Sequence, residues 1–151
     1  GSLSVSAVLS HEILEFFIDP HCQLWADRMD GTMVAYEVGD PVEGDSYEVG
    51  STDATGAAVK VSVSNFVLDA WFDAQSTAPG TRYDWMKKCT APLQMTPGGY
   101  GVILNPFNGN VTQIFASREA EESHAAIKPR HTGGRSARRA HQRPRPKYVA
   151  K

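Results

Sequence analysis

Apolar and small polar positions alternate along the first residues, Leu3-Ser4-Val5-Ser6-Ala7-Val8-Leu9, and a period of two predicts a half-buried strand. Residues 12–18 place Ile13, Leu14, Phe17 and Ile18 at helical spacing. Their aromatic content and the Asp19-Pro20 stop fit a buried strand as well, and strand is the reading adopted. Residues 22–29 and 32–38 are strand-like runs on either side of Asp30-Gly31. That pair predicts a two-residue hairpin, because Gly accepts the positive φ such a turn needs. A turn-rich link over 39–44 leads to a short strand at 46–49, a polar loop over 50–56 and an alternating strand over 57–64. Residues 65–73 read as a short helix capped by Asn65, with Val67, Leu68, Trp71 and Phe72 as its apolar stripe. Residues 83–88 suggest another helical turn, and 90–99 form a Pro/Gly-punctuated connection. The runs 100–105 and 110–116 predict a second hairpin around Phe107-Asn108-Gly109.

The apolar pattern stops at Ile127. In the 24 residues that follow, no Val, Leu, Phe or Met precedes Tyr148 and Val149, too little apolar surface to offset the entropy of ordering. The expected class is therefore α+β: an antiparallel sheet with two hairpins and one or two short helices, followed by a basic, intrinsically non-globular C-terminal tail. The expected division is a compact domain over 1–117, a short helical or irregular connector over 118–127 and an extended tail over 128–151. There is no internal repeat.

Charge sharpens that division. Residues 1–120 hold 15 acids against 6 bases, a net of −9, while residues 121–151 hold 9 bases against 2 acids, a net of +7. The overall −2 hides two opposite halves. An apolar fraction of 41% excludes a wholly disordered chain. No apolar run approaches the ~18 residues of a membrane span, so no membrane insertion is expected and the location is otherwise unassigned. Gly1-Ser2 reads as a cloning remnant or the new end of a cleaved precursor. Cys22 and Cys89, outside any C-x-x-C arrangement, are expected to be buried free thiols, and the Asn110-Val111-Thr112 triplet carries little weight as a glycosylation site.

Candidate chemistry is sparse. Ser10-His11-Glu12 contains residue types of a catalytic triad, but neighbours on a strand point to opposite faces and cannot relay protons to one another. An enzyme reading needs His11 or His21 to meet Glu12, Asp19 or Cys22 through tertiary contact. Asp40, Glu43, Asp45 and Glu48 lack the EF-hand spacing and read as a solvated acidic loop. His124, His131 and His141 have no zinc spacing. Residues 97–101 lack the Lys-Ser/Thr of a phosphate loop. Trp71, Trp85, Tyr83 and Tyr100 read as core aromatics. No metal and no cofactor is expected.

The tail offers Arg135, Arg138, Arg139, Arg143, Arg145 and Lys147, interleaved with Gly, Ser and Pro. Such a chain can follow a phosphate backbone without reading its sequence. The function expected is that of a non-enzymatic structural or interaction protein in a larger assembly, of virion or ribonucleoprotein type. Its body contacts other protein subunits, and its tail contacts RNA, DNA or an acidic neighbouring surface. The alternative is a small hydrolase or toxin-like enzyme using His11 or His21 with Glu12, Asp19 or Cys22.

Overall fold

The computed structural model describes residues 4–127. It is α+β, built on antiparallel hairpins with few helices. The N-terminal segment departs from expectation. Residues Val5–Ile18 form one 14-residue helix, α1, in place of two strands. Ser4 starts it by accepting a hydrogen bond from the Ala7 N–H at 3.1 Å, which satisfies one of the free donors of the first turn. The helix ends at Asp19, whose N–H donates to the Glu15 carbonyl. Its inward face is Ala7, His11 and Glu15, spaced by four, so the buried stripe is largely polar and invisible to a hydrophobicity pattern.

Strands β1 (Trp25–Asp27) and β2 (Met33–Ala35) form the first hairpin, with Trp25 opposite Ala35. The Arg28 N–H still donates to the Thr32 carbonyl, so the loop is Met29-Asp30-Gly31, three residues instead of two, with Met29 at φ +62° and Gly31 at +83°. Strands β3 (Ser46–Thr52) and β4 (Ala58–Ser64) form a separate two-stranded sheet, closed by Asp53 accepting from the Thr55 and Ala57 N–H groups. Strands β5 (Tyr100–Leu104) and β6 (Val111–Phe115) make the last hairpin as expected, with Tyr100 opposite Phe115 and Leu104 opposite Val111. The larger sheet runs β1-β2-β5-β6, all antiparallel, with β5 buried along its whole length.

The helix expected over 65–73 shrinks to α2, Asp69–Phe72, capped at Leu68. The residues before it are extended because tertiary partners take their backbone donors: Asn65 N–H meets the Asp45 carbonyl, Val67 N–H that of Val38, and Leu68 N–H that of Tyr83. Asn65 is a buried strut, donating from Nδ2 to Asp84 at 2.8 Å and accepting from the Met86 N–H. The same bridge between Val67 and Asp84 removes the helical turn expected over 83–88. Trp71, Phe72, Val34, Val38, Val67 and Ile103 centre the core, with Tyr36 stacked on Phe72 at 3.7 Å. Trp71, Tyr83 and Tyr100 are core residues as read from the sequence. Trp85 is not: it stands 45% exposed, stacked on Phe66 and with the Arg82 guanidinium 4.6 Å over its ring. Both cysteines are free thiols, Cys89 buried and Cys22 half-buried. Helix α3, Arg118–Ile127, follows β6 and sets His124 against the Tyr100 ring. No described helix is long and apolar enough to cross a membrane.

Candidate metal centre

The polar stripe of α1 meets the turn that follows β2. A single 3-10 turn, Asp40–Val42, begins there with Pro41 at its start. Gly39 lies flat under the His11 imidazole; a Cβ on it would fall 2.4 Å from Nδ1, so only glycine allows the ring to approach. The turn is fixed from the other side by the Pro41 carbonyl, which accepts from the Thr96 N–H and lies against Gly99.

This packing brings three donor groups together. His11 Nε2 stands 3.2 Å from Glu15 Oε1 and 3.3 Å from Asp40 Oδ1. All three ligand atoms lie within 4.8 Å of one another, and all three residues are buried. Among the described residues no other group of His, Cys, Asp and Glu converges in this way. Gly39 N–H donates to Glu15 Oε1, and Asp40 Oδ2 is buried without a well-formed hydrogen bond. Tyr100 and Glu43 lie within electrostatic reach of the same carboxylates.

The electrostatics follow from one imidazole facing several acids. Burial alone draws His11 toward its neutral form, but hydrogen bonds to Asp40 and Glu15 outweigh it and hold the pKa well above the ordinary value. Burial, and then the Asp40 charge, push Glu15 up to about 8. Burial and Asp40 likewise push Glu43 up to about 7. Burial first, then the charges of Asp40, Glu43 and Glu15, raise the Tyr100 hydroxyl well above the usual phenol range. The crowding of acids around one imidazole thus favours the protonated form of Glu15 near neutral pH.

The residues weighed from the sequence fall apart into different roles. His11 is in the site, but its partners are Glu15 and Asp40 rather than Glu12, Asp19 or Cys22. Glu12 is exposed, one position further round α1. Asp19 spends both carboxylate oxygens on the Gln23 and Leu24 N–H groups and closes the turn after the helix. His21 is exposed. Asp40 is no member of a solvated loop, at 2% exposure. Arg135, Arg138, Arg139, Arg143, Arg145 and Lys147 lie outside the described residues, as does the expected tail. Glu15 has no signature in the sequence, because the i, i+4 pair with His11 has meaning only on a helix.

The opposite face of α1 is apolar and, among the described residues, uncovered. Val5, Leu9, Phe16 and Phe17 are exposed by 86, 59, 56 and 76%, and Val8, Ile13 and Ile18 stand out beside them. A patch of this kind on a folded chain marks a contact surface.

Compared with known proteins, the chain matches no family model, no curated protein and no solved structure.

Proposed function

We propose that this domain binds a divalent transition-metal ion of the zinc type through His11 Nε2, Glu15 and Asp40. The observation that carries the reading is the pair of 3.2 and 3.3 Å separations around Nε2. Ligands about 2.1 Å from a tetrahedral ion stand about 3.4 Å from one another, so Nε2 already stands at coordination spacing from each of the two carboxylates. One imidazole and two carboxylates suit zinc or manganese better than magnesium, which keeps most of its waters. A divalent ion would also favour the ionised form of Glu15, which burial otherwise disfavours. Zinc titrated calorimetrically into the metal-free full-length chain is expected to bind at one equivalent and to raise Tm, since it binds only the folded site. His11→Gln and Asp40→Asn each remove that equivalent. Retention of it by both variants, with folding checked by circular dichroism, rejects the site.

A second reading concerns the rest of the molecule and is favoured by the apolar outer face of α1. In it the body docks on other protein subunits through that face, within an assembly in which the basic tail holds RNA, DNA or an acidic neighbour. Sedimentation of the wild-type chain against Phe17→Glu tests contact between copies; identical monomers at every concentration reject it.

A further inference from the structure

From the make-up of its outer face, we infer that α1 is the seam of a homodimer, packed antiparallel on α1 of a second copy across a twofold axis. The inference rests on the docking reading above and deepens it by naming the partner.

Area is the first support. Val5, Val8, Leu9, Ile13, Phe16 and Phe17 stand between 43 and 86% exposed. At about 100° per residue they fall within one half of the helix circumference. Together they offer on the order of 700 Å², and a standard-size interface takes about 600–1,000 Å² from each partner. One helix face thus supplies most of what a stable dimer needs, and a patch of this size is more than a monomer ordinarily leaves open.

Charge is the second support. Residues 5–18 contain neither Lys nor Arg, and Glu12 is the one charge on the outer side. Helices that lie on membranes flank their apolar face with cations, which α1 lacks. A partner recognised through charge finds a single carboxylate here, whereas an identical apolar face matches this one along its length. Such self-matching is what a twofold interface requires.

Side-chain size sets the direction. Val5 and Val8 occupy one end of the face, Phe16 and Phe17 the other. In a parallel pair four phenyl rings crowd one end and leave a gap between valines at the other. Reversed, each Phe pair meets a Val pair, Leu9 meets Ile13 of the second copy, and the helix axes keep the even separation that close packing needs. Opposed helix dipoles favour the same direction. The twofold axis then passes level with His11 and sets the two Glu12 carboxylates on the same edge of the seam, where they repel.

Sedimentation equilibrium of the full-length chain tests this in 0.5 M NaCl, which screens attraction between tail and body. Wild type is expected to dimerise. Phe17→Glu and Val5→Glu are each expected to raise the dissociation constant about 30-fold or more, the loss of a hot-spot residue. Glu12→Gln is expected to lower it. Antiparallel packing leaves the two copies of Val5 about 16 Å apart along the helix axis. In a Cys22→Ser background, oxidation of mixed Val5→Cys and Phe16→Cys chains is therefore expected to give the heterodisulfide. Disulfides between two Val5→Cys chains, or a dimer that Glu12→Gln fails to tighten, overturn the antiparallel pair and leave the docking reading standing. A wild type that stays monomeric overturns the second copy, and its flotation with phosphatidylglycerol vesicles makes the occupant a lipid surface. If both glutamate variants of that monomer also lose their urea transition, the face belongs to the core and the docking reading falls as well. Folding of the variants thus separates the two failures.

Discussion

Gly39 is bare because His11 occupies the space a side chain would need, with Nδ1 2.4 Å and Cε1 2.6 Å from the site of its missing Cβ. Gly39→Ala is therefore a probe of the centre that removes no ligand. The added methyl must push the imidazole aside, costing about 1–3 kcal/mol as overpacking does. It should also weaken zinc by at least about tenfold if Nε2 is a ligand, read as a calorimetric Kd beside a urea midpoint. Zinc affinity equal to wild type in a destabilised Gly39→Ala chain means that the ring is packing alone. Cys89 gives a second residue-scale outcome. Burial, and then the Asp84 and Asp45 charges, push its thiol from 9.0 up to about 12. Below pH 9 the thiol is protonated whether the chain is folded or not, so it contributes no pH slope. Above pH 9 the unfolded chain ionises first, and stability falls until the folded thiol itself titrates. Urea midpoints should drop between pH 9 and 11 more steeply for wild type than for Cys89→Ala.

The same helix that was hardest to read shows why. Sequence periodicity reports burial only when the buried face is the apolar one, and α1 inverts that relation: His11 and Glu15 point in while Leu9, Phe16 and Phe17 point out. Of the alternating apolar residues described there, Ala7 is buried while Val5 and Leu9 line no core. The second hairpin was legible for the opposite reason, since Tyr100–Leu104 is buried on both faces and Asn108-Gly109 supplies an ordinary turn. The helix at 65–73 failed through long-range bonding, because Asn65 serves Asp84 and Met86 rather than its own first turn. Two of the three donors, His11 and Asp40, were therefore visible in the sequence, but their meeting depended on a helix the pattern concealed. If the outer face of α1 is a contact surface, polar substitutions there are free of folding cost. Leu9→Glu and Phe17→Glu should leave the urea midpoint within about 0.5 kcal/mol of wild type, as surface changes do. Ser4→Ala, which removes the cap, should cost about 1 kcal/mol. A large loss from Phe17→Glu in the isolated chain places that ring in the core instead.

At the scale of the whole molecule the charge division bears on what the tail can hold. Residues 1–120 carry −9 and residues 121–151 carry +7, so any partner of the arginines competes with the chain's own body. On the proposed assembly reading, a polyanion is expected to win that competition through counterion release, which a protein surface of scattered carboxylates does not match. For a single strand the salt slope is about −0.7 per phosphate neutralised, so six tail cations engaged at once give a slope of about −4. Titration of the full-length chain with a poly(U) 20-mer from 50 to 300 mM NaCl reads this directly. Replacing Arg135, Arg138, Arg139, Arg143, Arg145 and Lys147 by Gln should bring the slope close to zero and leave zinc binding intact, because the centre draws only on α1 and the turn at Asp40. If the tail instead lies on an acidic body, the same six changes leave RNA affinity unaltered. They then abolish a salt-sensitive self-association, since attraction between exposed charges is screened over about 8 Å at 0.15 M salt. The two outcomes move different observables, so one variant separates a nucleic-acid partner from a second copy of this chain.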